Sequence, residues 1–229
     1  MPKEQSILGV VIVAAGNSTR MGKDKIYASI AHHPLLHHTL KTFENHPSVA
    51  HICVVVETHK TQEAKQMIVA SGFSKVIKVC PGGKTRQESV RLGLKCLPET
   101  KLVGIHDGAR PCVTSETITN CINLAQIHGS AVPAIPVVDT IKKSDTNKVI
   151  LNTVDRTHLW QAQTPQVFEW AMIHEAYSNS TNEHTDDSSL LESLNIPIHL
   201  AEGDPRNIKV TTPVDLMLAE YILLNPEGA

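Results

Sequence analysis

Apolar runs and helix-period segments alternate along the first 135 residues of this chain. Residues 7–14, 51–57, 76–79, 102–106 and 131–138 are nearly continuous apolar stretches. Such runs lack the in–out alternation of a half-exposed strand, and they predict strands covered on both faces, as in a parallel sheet. Between them, residues 34–45, 62–70, 86–97 and 115–128 carry helical spacing. Pro34 stands at a first helical position, Thr85 with Glu88 has the form of a capping box, and Gly129 follows the last of these helices. Repeated βα units of this kind predict an α/β fold with a doubly wound, mostly parallel sheet.

The pattern breaks at residues 139–160. "TIKKSDTNKVILNTV" has no helical period and predicts two short strands around a polar turn at 144–147. An isolated hairpin buries too little to be stable alone, so this one should fold over the body or onto another subunit. Beyond it the pattern predicts helices near 168–178 and 186–194 and strands at 196–201 and 207–210. A final helix opens at Thr212-Pro213 with Asp215 in its first turn. There are no repeats or low-complexity linkers, and residues 1–229 are expected to form a single domain with 139–160 as an inserted arm.

Composition adds mainly exclusions. The 229 residues carry a formal net charge of -2, against the basic excess of a nucleic-acid-coating protein. Aromatic residues make up 3%, so the core must be aliphatic. Five cysteines, Cys53, Cys80, Cys96, Cys112 and Cys121, are odd in number and contain no C-x-x-C, which is the pattern of free thiols in a reducing compartment. The first apolar run is too short to span a bilayer and follows Lys3 and Glu4, so a cytoplasmic protein without a membrane segment is expected.

Several familiar motifs fail on inspection. "GGKTR" ends like a phosphate-binding P-loop, but the position five before Gly83 is Lys78 rather than glycine. "GNSTR" misses the nucleophile elbow at Arg20, and no G-x-G-x-x-G follows the first strand. His32, His33, His37 and His38 have no carboxylate or thiolate company and suit a solvated helix start better than a metal. What remains is a set of loops after strands, where open α/β sheets bind ligands. They carry Arg20 and Lys25, then Gly82, Gly83 and Arg86, then Asp107 and Arg110, then "DTIKK", and finally Asp204 and Lys209. Cationic loops gathered at one sheet edge, with a carboxylate among them, point to a polyphosphate substrate and Mg²⁺.

"VIVAAGNSTRMG", "HDGARP", "TVDRTHLWQAQTPQVF" and "GDPRNIKVTTPVDL" together resemble the signature regions of the 2-C-methyl-D-erythritol 4-phosphate cytidylyltransferases. The resemblance runs in order along almost the whole chain and implies a Rossmann-like nucleotidyltransferase. Its reaction transfers CMP from CTP to methylerythritol phosphate and releases pyrophosphate. By that resemblance Arg20 and Lys25 contact the triphosphate, while Arg156 and Lys209 hold the acceptor's phosphate for attack. Ala14, Ala15, Gly16, Gly82, Gly83 and Ser89 would form the CTP pocket. Asp107, Arg110 and Thr140 would bind the acceptor, with Asp107 also near a divalent ion, Mg²⁺ or a relative, carried by the CTP phosphates. The arm would cross to a second subunit, so that Thr140 and Arg156 complete the partner's site in a homodimer. Three positions depart from the family pattern: Ser18 in place of a second glycine, Asp24-Lys25-Ile26 around the lysine, and Lys84 where some members carry an acid. Two alternatives share the chemistry in part: a ribitol 5-phosphate cytidylyltransferase, and a non-catalytic CTP-binding sensor.

Overall fold

The computed structural model describes residues 6–16, 25–180 and 182–226, the side chain of Lys25 excepted. The elements are, in chain order, β1 (Leu8–Ala14), β2 (Ser29–Ile30), β3 (His33–Pro34), α1 (Leu35–Asn45), β4 (Val49–Val56), α2 (Thr61–Ala70), β5 (Val76–Pro81), α3 (Arg86–Cys96) and β6 (Leu102–Asp107). There follow α4 (Ser115–His128), β7 (Ser130–Pro136), β8 (Ile141–Ser144), β9 (Ile150–Val154), β10 (Trp160–Ala162), β11 (Gln166–Glu169), α5 (Trp170–Asn179), α6 (Asp187–Glu192), β12 (Leu200–Glu202) and α7 (Pro213–Leu224).

The main sheet runs β10-β7-β11-β6-β1-β4-β5, with β12 pairing to β7. β5, β4, β1 and β6 are mutually parallel. The chain therefore winds outward from β1 to β5 and then returns to place β6 on the other side of β1. That reversal between β1 and β6 is a topological switch point, where the loops at the strands' carboxyl ends part and leave a crevice. The sequence-predicted α/β architecture is present, with a mostly parallel sheet and helices on both faces.

Alternation along β1 explains why its run is apolar throughout. Val10, Ile12 and Ala14 pack with Leu36, Leu40 and Phe43 of α1, Ile68 of α2 and Ile118 and Ile122 of α4. Val11 faces the other way, into a cluster with Val90 and Leu94 of α3, Ile173 and Tyr177 of α5 and Leu190 and Leu191 of α6. Neither face meets water, so neither face needs polar residues. The caps read from the sequence are present at Thr85, Gly129 and Thr212. Gly129 takes φ +79°, a left-handed conformation costly for other residues, and its N–H closes on Ala125. Glu88 does not complete a capping box, because its carboxylate accepts the backbone N–H of Lys84 instead.

The structure differs from the sequence-based expectation after residue 155. Phe168, expected at a helix start, lies in β11, which is antiparallel to both β6 and β7. β11 is only four residues long, too short for periodicity to separate it from the helix that follows directly. Residues 207–210 do not form a strand. They run as irregular chain beside the β6 loop, held by the Val210 N–H on Ala109 and by Arg110 on the carbonyl of Asn207. His37, expected on a solvated helix start, is 9% exposed and stacks on His33 at 4.1 Å. The hairpin β8–β9 forms as expected and pairs only with itself. No helix among the described residues is long and apolar enough to cross a membrane.

Candidate active site

A cavity of about 380 Å³ opens at the carboxyl ends of β1 and β6. One wall is the backbone after β1, Ala14, Ala15 and Gly16, and another is the turn between β5 and α3, with Gly83, Lys84, Thr85 and Arg86. Asp107 at the end of β6 and Lys209 from the segment before α7 form the floor and far rim.

The two glycine-bearing walls are built against each other. A Cβ on Gly82 would fall 2.3 Å from the Cβ of Ala15, so only glycine lets the β5 turn approach the β1 loop this closely. Gly82 thus shapes the cavity from behind. Ser89, buried one turn into α3, accepts the N–H of Gly83 at 3.1 Å and donates to the carbonyl of Thr85 at 2.9 Å. Its hydroxyl therefore holds the turn in shape.

Asp107 is the electrostatic centre. Lys209 Nζ lies 2.8 Å from its Oδ2, Arg86 Nε 3.2 Å from its Oδ1, and Arg110 Nε 3.8 Å from Oδ2. Burial alone would raise the Asp107 carboxyl, but Arg86, Lys209 and Arg110 together hold it well below the usual carboxylate range. Arg86 is anchored in turn by Asp187 at the start of α6, which accepts both Nη1 at 3.0 Å and Nη2 at 2.8 Å. The hydroxyl of Tyr177 also donates to Asp187. Three cations against two carboxylates leave this cluster with a surplus of positive charge beside the cavity.

Beneath it, His106 is fully buried. Its Nε2 donates to the carbonyl of Arg110, so Nδ1 is the acceptor for the Thr164 hydroxyl at 3.0 Å, and Thr164 in turn accepts the Asp107 N–H. Burial pushes the His106 imidazole down to about 3. It is a neutral, fully engaged group that orients Asp107, and it is not a base open to the cavity.

The sequence-predicted residues divide clearly. Ala14, Ala15, Gly16, Gly83, Ser89, Asp107 and Lys209 line the cavity, with Gly82 directly behind. Arg110 is adjacent but only 11% exposed in its side chain, with Nη1 on the carbonyl of Asn207, so it braces the 207–210 segment. Thr140 and Arg156 lie exposed in the arm, flanking its hairpin, and Arg156 bonds the carbonyl of Val138. Neither lines this chain's own cavity. Arg20 lies outside the described residues, and so does the side chain of Lys25, whose backbone opens a short 3₁₀ turn. Arg86 was visible in sequence as one cation of a loop, but its bridge between Asp107 and Asp187 was not. The only local hint was the doubled Asp186-Asp187: Asp186 caps α6 through the Ser189 N–H, which leaves its neighbour for another partner. His106 and Thr164 stand within "HDGARP" and "TVDRTHLWQAQTPQVF", but nothing in those stretches assigned either a role.

The arrangement suits a polyanion. It offers backbone from two glycine-bearing loops, a cationic cluster and one ionised carboxylate, with no paired nucleophile and base among the described lining residues. Comparison with known proteins agrees. The sequence profile of 2-C-methyl-D-erythritol 4-phosphate cytidylyltransferase matches residues 8–225. The protein of that name from Dehalococcoides mccartyi is 43% identical over 217 residues, covering 94% of this chain and 96% of the relative. Its counterpart from Caldanaerobacter subterraneus is 42% identical over 223 residues, covering 94% and 98%. The crystal structure of 4-diphosphocytidyl-2C-methyl-D-erythritol synthase from Anaerococcus prevotii superposes with a TM-score of 0.84 at 27% identity, covering 96% of this chain and 99% of that one. The chain belongs to the 2-C-methyl-D-erythritol 4-phosphate cytidylyltransferase family.

Proposed function

We propose that this protein transfers CMP from CTP to the phosphate of 2-C-methyl-D-erythritol 4-phosphate, giving CDP-methylerythritol and pyrophosphate. The observation that carries the reading is the cation-ringed Asp107 at the β1–β6 switch point of a chain matched by the family profile along residues 8–225. The acceptor is a phosphate monoester whose second pKa is about 6, so it arrives largely as the dianion and needs no general base. Two anions must instead be brought together and the charge growing at the α-phosphorus must be stabilised. Lys209 is suited to the first task. Its ammonium reaches the cavity, and at 41% side-chain exposure it can move from Asp107 to an incoming phosphate. Arg20 and Lys25 are assigned to the triphosphate from their place in the family motif. The backbone of Ala14, Ala15, Gly16 and Gly83, shaped by Gly82 and Ser89, is assigned to the cytidine end.

Asp107 fits a divalent ion carried on substrate phosphates, being the one ionised carboxylate among the described residues lining the cavity. Mg²⁺ bound there with CTP would neutralise phosphate charge. Asp107 would help to hold it, and Lys209 would be free to meet the acceptor phosphate.

A homodimer is part of the proposal. Residues 139–160 are taken as an arm of a single nucleotidyltransferase domain. The hairpin leaves Val149, Ile150 and Leu151 exposed, and Val138 is 72% exposed. Apolar side chains gathered on a two-stranded hairpin favour a protein partner. A second subunit there would bring Thr140 and Arg156 to its neighbour's acceptor. The transfer itself is tested with CTP labelled at the α-phosphorus. Label in CDP-methylerythritol supports the reading, and label recovered only as CMP or unreacted CTP refutes it.

A further inference from the structure

We propose that Cys53, Cys80 and Cys96 form a three-thiolate site for a soft monovalent cation, cuprous copper. The site is separate from the active-site cavity, and the β4–β5 register creates it. Cys53 pairs with Lys78 and Val55 with Cys80, so the two thiols project from the same face of neighbouring strands. Their sulfurs lie 3.8 Å apart. Cys96, the last residue of α3, descends on that face, and all three sulfurs lie within 4.8 Å of one another.

A metal with bonds of about 2.3 Å to each of three sulfurs needs them about 4.0 Å apart. The triangle is thus near closure before any ion arrives. No histidine or carboxylate joins the group among the described residues, which excludes hard cations such as Mg²⁺ and Ca²⁺. The absence of a fourth ligand disfavours structural zinc, which takes four, and suits a soft ion content with three thiolates. The thiols belong to an apolar cluster with Val11, Val55, Val90, Leu94 and Leu97, which keeps the site dry. Cys96 is only partly buried and provides access from solvent.

Cuprous copper would displace the thiol protons. The ion would tie β4, β5 and the end of α3 together, the frame that carries the turn at 82–86.

The test is an anaerobic titration of the full-length, reduced protein with Cu(I) against a coloured competing chelator. One tightly held ion per chain is expected, with three sulfurs in its X-ray absorption shell. Cys80→Ser and Cys96→Ser should each weaken binding more than about 100-fold, exceeding the usual effect of changes in a ligand's surroundings. Cys112→Ser and Cys121→Ser should not change it. Cu(I) should raise the melting temperature of the parent and leave that of Cys96→Ala unmoved. Equal affinity in parent and Cys80→Ser, an equal loss in Cys112→Ser, or a two-sulfur shell would each overturn the assignment.

Discussion

Asp187→Asn isolates the support beneath the site. Asp187 is wholly buried and accepts two guanidinium bonds from Arg86 at 3.0 and 2.8 Å. Asparagine keeps the shape and a carbonyl for Tyr177 but removes the charge. Breaking one side of a buried pair costs about 3–5 kcal/mol. Arg86 keeps Asp107 at 3.2 Å and is partly exposed, so the lower end applies, about 3 kcal/mol. For a domain of this size about 2–4 °C accompanies each kcal/mol, which gives a fall in Tm of about 6–12 °C. Calorimetry on the parent, Asp187→Asn, Arg86→Met and the double Arg86→Met/Asp187→Asn closes a cycle whose coupling should exceed about 1 kcal/mol. A Tm for Asp187→Asn within about 2 °C of the parent, or a coupling near zero, would refute the claim that Asp187 anchors Arg86.

The other expectations concern the proposed chemistry, the dimer and acid stability. Lys209→Ala should lower kcat/KM about 10²–10³-fold, the range for a lost charge-stabilising donor, and steady-state kinetics on a variant with unchanged circular dichroism checks it. Lys25→Ala should fall at least as far; a change under threefold would end its assignment to the triphosphate. Mixing Arg156→Ala with Lys209→Ala subunits should restore about a quarter of parental activity, because half the dimers are mixed and each has one intact site. No recovery after subunit exchange would place Arg156 in its own subunit's site. His106 is held near 3 when folded, against 6.5 when exposed, so both states are neutral above pH 6.5. Below that the unfolded chain takes a proton the folded one refuses, and stability should decline towards pH 3 by up to about 5 kcal/mol. His37, lowered to about 4 chiefly by burial, should add to the same slope. Denaturant midpoints that stay flat from pH 6.5 to 4.5 would contradict both.

The βα half of the molecule was legible because its strands are buried on both faces, and continuous apolar runs record that directly. The caps at Thr85, Gly129 and Thr212 were legible because each is a local hydrogen-bond requirement. β11 and the irregular 207–210 segment were not, since long-range partners decide their conformation: β11 is clamped between β6 and β7, and Asn207 is held by Arg110. The site shows the same division. Loop cations after strands could be gathered from topology, but the chain Asp187–Arg86–Asp107 spans residues 101 and 21 apart, which no local pattern reports. Equally, three thiols spread over residues 53–96 read as unrelated core residues until the strand register brings them together.

The central claim is tested most directly by following pyrophosphate release from CTP and Mg²⁺ with 2-C-methyl-D-erythritol 4-phosphate, beside an equal concentration of ribitol 5-phosphate. Sustained release with methylerythritol phosphate and none above background with ribitol phosphate is the expected result. Release with ribitol phosphate alone would contradict the acceptor assignment, and silence with both from a folded protein that still binds CTP would contradict catalysis itself.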